Sequence, residues 1–162
     1  MLRDLNSTIP GAPNFTYGEL IKSDTALRYG IKNEPNEEQW NCIELLAKNI
    51  LQPVRNQFGP IKITSGFRSV DVCLLVGSSS KSNHTKGQAA DFEPYGNNIK
   101  LVTILEWIHN NLEYRTLILE YPPSGWIHVD YRINKNIKNL KLKDETHNYS
   151  KISIEELKKL YG

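Results

Sequence analysis

The stretch T-L-I-L-E-Y-P-P-S-G-W-I-H-V-D-Y-R, residues 116–132, decides the fold class of this 162-residue chain. Residues 116–121 and 126–132 are apolar and β-prone, and Pro122-Pro123-Ser124-Gly125 between them is turn chemistry, so the stretch predicts a β-hairpin. The two-residue period of a strand puts Trp126, His128 and Asp130 on one face of the second arm and Ile127, Val129 and Tyr131 on the other. The buried face of a central strand is ordinarily apolar. A face carrying His128 and Asp130 therefore points to a site lined by the sheet, the alternative being an exposed edge strand with ordinary polar residues.

Working outward, Leu101, Ile104, Leu105, Ile108 and Leu112 mark an amphipathic helix just before the hairpin. Further upstream Asn36 opens a second helix whose stripe is Trp40, Ile43, Ala47, Ile50 and Val54, and which Pro53 is expected to kink or end. Thr16 and Glu19 have capping-box spacing and predict a short helix over 17–22. Ile61, Lys62, Ile63 and Thr64 alternate as a strand ending at Ser65-Gly66, residues 77–88 read as a polar loop, and 89–92 as a short buried strand holding Asp91. Residues 1–14 read as an irregular arm. Residues 133–162 read as a basic C-terminal extension, in which Ser153 and Glu156 cap a closing short helix. The expected architecture is α+β, with N-terminal helices packed on a small, mainly antiparallel sheet, and the main domain at 15–132.

Twenty Lys and Arg against eighteen Asp and Glu give a net charge of +2, with no broad basic surface, so no nucleic-acid partner is expected. The excess is local: residues 133–162 hold seven Lys and four acidic residues, whereas 1–132 hold thirteen basic and fourteen acidic ones. That basic end could meet an anionic surface, or be a solvated Lys-rich tail. With 39% hydrophobic and 23% charged residues the chain reads as globular, and no run approaches the ~18 apolar residues of a membrane span. The first residues, M-L-R-D-L-N-S-T-I-P-G, lack an apolar signal core, so synthesis in the cytoplasm without a signal peptide is expected. A monomer is expected. Cys42 and Cys73 are too few for a disulfide framework or a thiolate zinc site, so any metal must use His and carboxylates.

His84, in S-N-H-T-K-G-Q-A-A-D, precedes the strand carrying Asp91. A carboxylate inside an apolar strand needs a partner, and a metal shared with His84 would supply one; the plainer alternative is a solvated loop His beside a turn-capping Asp. Adding His128 gives two His and one carboxylate, a known catalytic zinc set with the fourth position open for water. A nearby carboxylate would then carry the proton. Glu120, which ends the strand Leu117-Ile118-Leu119, is expected within about one residue of cross-strand register with His128. Arg68, in I-T-S-G-F-R-S at the end of another strand, offers a fork for a carboxylate or a polarised carbonyl.

The ordered runs S-G-F-R-S, S-N-H-T-K-G-Q-A-A-D and W-I-H-V-D resemble the zinc D-Ala-D-Ala carboxypeptidase family of peptidoglycan peptidases, which share the hedgehog/DD-peptidase fold. The similarity extends upstream through F-T-Y-G-E-L-I-K-S-D-T-A and L-Q-P-V-R, and covers about residues 15–131. It implies zinc (Zn2+) ligation by His84, Asp91 and His128, Ser82 lining the substrate cleft, Gly87 permitting the turn between ligands, and Arg68 binding a substrate carboxylate or the oxyanion. Trp126, next to the ligand strand, either walls the substrate cleft or packs in the core. Many members place the acid/base carboxylate three residues before the last His, where this chain has Gly125. The role is expected to pass to Glu120, or to Glu93, which shares a strand face with Asp91. Asp130 either orients His128 or pairs with a cation, and His109 and His147 are expected to be non-functional. The resemblance implies a zinc metallopeptidase acting on peptidoglycan stem peptides, in the manner of a phage endolysin. The alternatives are a non-catalytic zinc-binding module of a phage particle and a cytoplasmic D,D-dipeptidase.

Overall fold

The computed structural model describes residues 3–96 and 98–162. The segment read as an irregular arm contains a short antiparallel ribbon, β1 (Thr8–Ile9) and β2 (Ala12–Thr16). Its order follows from three apolar residues, Ile9, Ala12 and Phe15, which are buried in the main core. Thr16 then caps α1 (Tyr17–Ile21) by accepting from the Glu19 N–H, and Ser23 caps α2 (Asp24–Tyr29), a helix the sequence pattern did not announce. The Asn36 start signal is a complete capping box with Gln39 at the head of α3 (Glu37–Leu46).

Pro53 neither ends nor breaks that helix. The chain passes through a π-helical turn (Ala47–Leu51) into α4 (Gln52–Phe58), and the Gln52 N–H bonds to the Ala47 carbonyl. Proline cannot donate and crowds the carbonyl four residues back, so a widened turn directly before it lets the helix continue. The stripe of Trp40, Ile43, Ile50 and Val54 is buried along its whole length.

β3 (Ile61–Ser65) leads into α5 (Val70–Leu75), and within the predicted polar loop a single 3-10 turn (Asn83–Lys86) precedes β4 (Ala89–Pro94). After α6 (Leu101–Asn111) comes the hairpin of β5 (Thr116–Glu120) and β6 (Trp126–Asp130), then β7 (Asn139–Lys143), β8 (Tyr149–Lys151) and α7 (Ile154–Tyr161). Strands three to eight form one sheet in the order β3-β4-β6-β5-β7-β8, antiparallel throughout except where β7 runs parallel to β5. The architecture is α+β with a mixed, mainly antiparallel sheet.

One face of this sheet is the core. Ala90, Phe92, Leu117, Leu119, Ile127, Val129, Leu140 and Leu142 point into it and meet the apolar stripes of the helices. The opposite face carries Asp91, His128, Glu120, Lys141 and Lys143 and opens to a cleft. The C-terminal extension is therefore not a solvated tail: Leu140, Leu142, Ile154 and Leu157 are buried, and Lys138 and Lys143 pair with Glu113 and Glu120. Among the described residues no helix is long and apolar enough to cross a membrane.

This integration is testable by urea unfolding. Leu157→Ala, at a fully buried position of α7, is expected to cost about 2–5 kcal/mol, whereas Lys159→Ala on its exposed side should stay within about 0.5 kcal/mol. A Leu157→Ala variant as stable as the parent would mean that α7 is an appendage.

Candidate metal centre and active-site cleft

Three side chains from two strands and one tight turn converge at the cleft floor. Asp91 on β4 lies directly opposite His128 on β6 in the ladder. His84 comes from the 3-10 turn, whose N-cap, Ser82, lines the cleft and accepts from the His84 backbone N–H at 3.3 Å. Gly87 closes the turn at φ +67°, and a Cβ there would lie 2.5 Å from the Gln39 carbonyl, so both backbone shape and space demand glycine.

The ligand atoms are His84 Nε2, His128 Nδ1 and Asp91 Oδ1. Their separations are 3.3 Å between the two nitrogens, 3.4 Å from His84 to Asp91 and 2.8 Å from His128 to Asp91. Ligands at about 2.0–2.1 Å from a tetrahedral zinc stand about 3.3–3.4 Å apart, so two separations already match and the third needs a small opening. His84 Nδ1 lies 2.7 Å from the Gly66 carbonyl. A carbonyl only accepts, so Nδ1 carries a proton and Nε2 is the ring atom that faces the site. The donor set fits a zinc ion.

Burial alone would raise the Asp91 carboxyl, but the His84 charge and hydrogen bonds from His128 and His84 outweigh it and hold the group far below the usual carboxylate range. Burial likewise opposes charge on His128, yet its hydrogen bond to Asp91 and the charges of Asp91, Asp130 and Glu120 raise its pKa. Asp130 is buried, with Oδ2 4.0 Å from His128 Nε2 and Oδ1 3.8 Å from Arg115 Nε. It stands behind the His128 ring and beside a cation at once.

Arg68 lines the cleft, but its Nη2 donates to Asp91 Oδ2 at 2.8 Å and its Nε to Ser65 Oγ at 2.5 Å. The guanidinium thus steadies the carboxylate oxygen that does not face the two histidines. Its Nη1 makes no hydrogen bond to a described residue.

Glu120 is on the same sheet face and lines the same cleft, though two positions from His128 in the ladder: Glu120 pairs with Trp126, and His128 with Ile118. The one-residue expectation is corrected by the length of the hairpin connection. Glu93 shares the Asp91 face but lies farther along β4, opposite Lys62 and ion-paired to it at 3.1 Å, and does not line the cleft. Gly125 explains the departure from the family pattern. A Cβ at that position would lie 1.8 Å from the Glu120 carbonyl oxygen, so the hairpin admits no side chain there.

Trp126 walls the cleft against the Tyr121 ring, centroids 5.2 Å apart, and its buried indole N–H has no hydrogen-bond partner among the described residues. His109 bonds Tyr114 Oη at 2.5 Å, away from the cleft, and His147 bonds Tyr121 Oη at 2.7 Å. The sequence reading missed Lys143, Tyr121 and Tyr149, which line the cleft beside Glu120. The alternation of N-L-K-L-K, residues 139–143, was the signal for a strand with lysines on one face.

A family model described as peptidase M15 matches residues 13–130, well over half of the chain. The match contains Arg68, Ser82, His84, Asp91, Glu120, Trp126 and His128, and ends before β7. No individually curated protein matches the chain. Peptidases of this family depend on zinc, which is the metal that the His84–Asp91–His128 donors suit, and the chain belongs to the peptidase M15 family of zinc metallopeptidases.

Proposed function

We propose that the protein is a peptidoglycan peptidase that hydrolyses a peptide bond next to a D-amino acid in stem peptides or cross-links, and that it serves as a phage-type lytic enzyme. The observation that carries this reading is the placement of Glu120, Asp91 and His128 on one face of one sheet, with His84 brought to them by the adjoining 3-10 turn, around one cleft of about 1020 Å³. A volume at the upper end of small-ligand sites suits a peptide of several residues better than a free dipeptide. The helices-on-sheet arrangement supports assignment to the hedgehog/DD-peptidase fold, and the S-N-H-T-K-G-Q-A-A-D and W-I-H-V-D runs support the wall-peptide substrate. In this reading the enzyme works as a monomer on wall peptides after release or from a phage particle, with no nucleic-acid or membrane partner.

His84, Asp91 and His128 would hold the zinc ion, which would supply Lewis acidity for water and the scissile carbonyl. Glu120 takes the proton from the attacking water and returns it to the leaving nitrogen, so the C–N bond breaks to a carboxylate and an amine. Arg68 keeps Asp91 turned toward the histidines and places a fixed positive charge beside the carbonyl oxygen as it gains negative charge. Trp126 and Tyr121 form an apolar wall that can hold the peptide against the donors.

Glu120→Ala is expected to lower digestion of purified peptidoglycan by about 10²–10⁴-fold while zinc content stays unchanged. Undiminished digestion removes Glu120 as the base, and a zinc-loaded parent inert on every peptidoglycan favours a non-catalytic module. Mass spectrometry of the products names the bond, and D-Ala-D-Ala offered alone separates a dipeptidase from a wall enzyme.

Zinc affinity should depend on pH. Both histidines must be neutral to ligate, and the pKa of His128 is raised, so affinity falls as pH drops through that value, by up to about tenfold per unit for each proton displaced. Chelator competition at successive pH values measures the slope. A flat response would exclude His128 as a ligand.

A further inference from the structure

We infer that Lys143 is a positioning residue for catalysis: its ammonium, seated between two tyrosine rings, fixes the Glu120 carboxylate in the orientation that proton transfer requires. The inference rests on the reading of Glu120 as the acid/base. It concerns a residue beyond the family match, which ends at residue 130.

Lys143 Nζ lies 3.1 Å from Glu120 Oε2, and the two side chains are 17% and 8% exposed. The pair is set by the sheet itself: Glu120 and Lys143 are opposite each other in the parallel β5–β7 ladder, and Lys143 is opposite Tyr149 in the β7–β8 ladder. The ammonium sits 4.9 Å from the Tyr121 ring centre and 5.0 Å from that of Tyr149. Two aromatic faces favour a cation there. The Tyr121 N–H also bonds the Lys143 carbonyl at 2.8 Å, and Tyr121 Oη is held by His147, so the seat is braced on both sides.

A buried ion pair is weak evidence for stability, since apolar replacements of similar volume for both partners are often as good. Its location gives it a use. Glu120 ends an apolar strand at the cleft, where the direction of its carboxylate decides whether it can meet the attacking water. Lys143 engages only Oε2. Oε1 makes no hydrogen bond to a described residue, so it can meet the proton of water. Lys141, one step back on the same face, reaches the Tyr149 ring at 5.8 Å but pairs with no carboxylate among the described residues. The charged and titratable groups facing Glu120 are Lys143 from β7, His128 from β6 and Tyr121 at the end of its own strand, with Tyr149 of β8 behind Lys143.

The test uses the zinc-loaded full chain with purified peptidoglycan and compares Lys143→Met, Lys143→Arg, Tyr149→Leu and Glu120→Ala. Lys143→Met is expected to lower kcat at least about tenfold with KM within about twofold and zinc content unchanged. Lys143→Arg, which keeps the cation, should recover part of kcat. Tyr149→Leu, which leaves every charge in place, should lower kcat to a smaller extent, and it keeps the idea falsifiable should Lys143→Met fold poorly. An inactive Glu120→Ala beside a Lys143→Met of parental kcat overturns the role of Lys143. An active Glu120→Ala instead overturns the acid/base reading on which it rests.

Discussion

Asp91 is a buried carboxylate in the middle of a sheet, in a strand whose neighbours on the other face, Ala90 and Phe92, are sealed in the core. Such a group is tolerated only where opposite charge and hydrogen bonds replace the water it has lost. Here the compensation comes from His84 across the cleft, His128 opposite in the ladder, and Arg68 at the end of the adjoining strand. Each of those positions depends on a different part of the fold. The 3-10 turn delivers His84, the β4–β6 pairing delivers His128, and the turn after β3 delivers Arg68. A shift of β6 by one residue would exchange His128 for an apolar neighbour, so the register of the sheet and the chemistry of the cleft are one constraint.

The helices fix that register indirectly. Because Ile127, Val129, Leu117 and Leu119 must face the stripes of α3, α4 and α6, the alternate residues His128, Glu120 and Asp130 have no choice but the opposite face. The hairpin connection then determines which carboxylate is available. Backbone atoms of Glu120 and Tyr121 fill the space where a side chain at residue 125 would go. The hairpin that excludes a carboxylate there brings Glu120 to the cleft edge instead.

Much of this was legible from residue pattern. Strand alternation in W-I-H-V-D-Y gave the correct faces, three capping signals marked real helix starts, and the spacing of polar residues picked out the three donors. The failures have identifiable physical causes. Composition suggested an irregular arm at residues 1–14, but three well-spaced apolar residues outweigh local Pro and Gly once a core exists to receive them. Pro53 was weighed as a helix breaker, and the chain absorbed it through a π turn. The 133–162 segment was judged by its net charge, which hides a period-two pattern in which Leu140 and Leu142 face inward. A parallel pairing between β5 and β7 is a long-range event that no local pattern encodes.

That pairing also changes the meaning of the basic excess. Spread along a solvated tail, the lysines would act as a diffuse charge, sensitive to salt and indifferent to position. Paired strand to strand, Lys143 instead belongs to a half-enclosed group with Glu120, Tyr121 and Tyr149, and Lys138 is tied to Glu113. Low exposure makes the Lys143 charge strong at short range. Its ion pair with Glu120 is too costly to desolvate to be explained by stability, and it lies on the rim of the cleft that holds the donor set. The same sheet extension that covers the β5 edge thus brings a cation to Glu120, a cleft carboxylate on the donor face of the sheet.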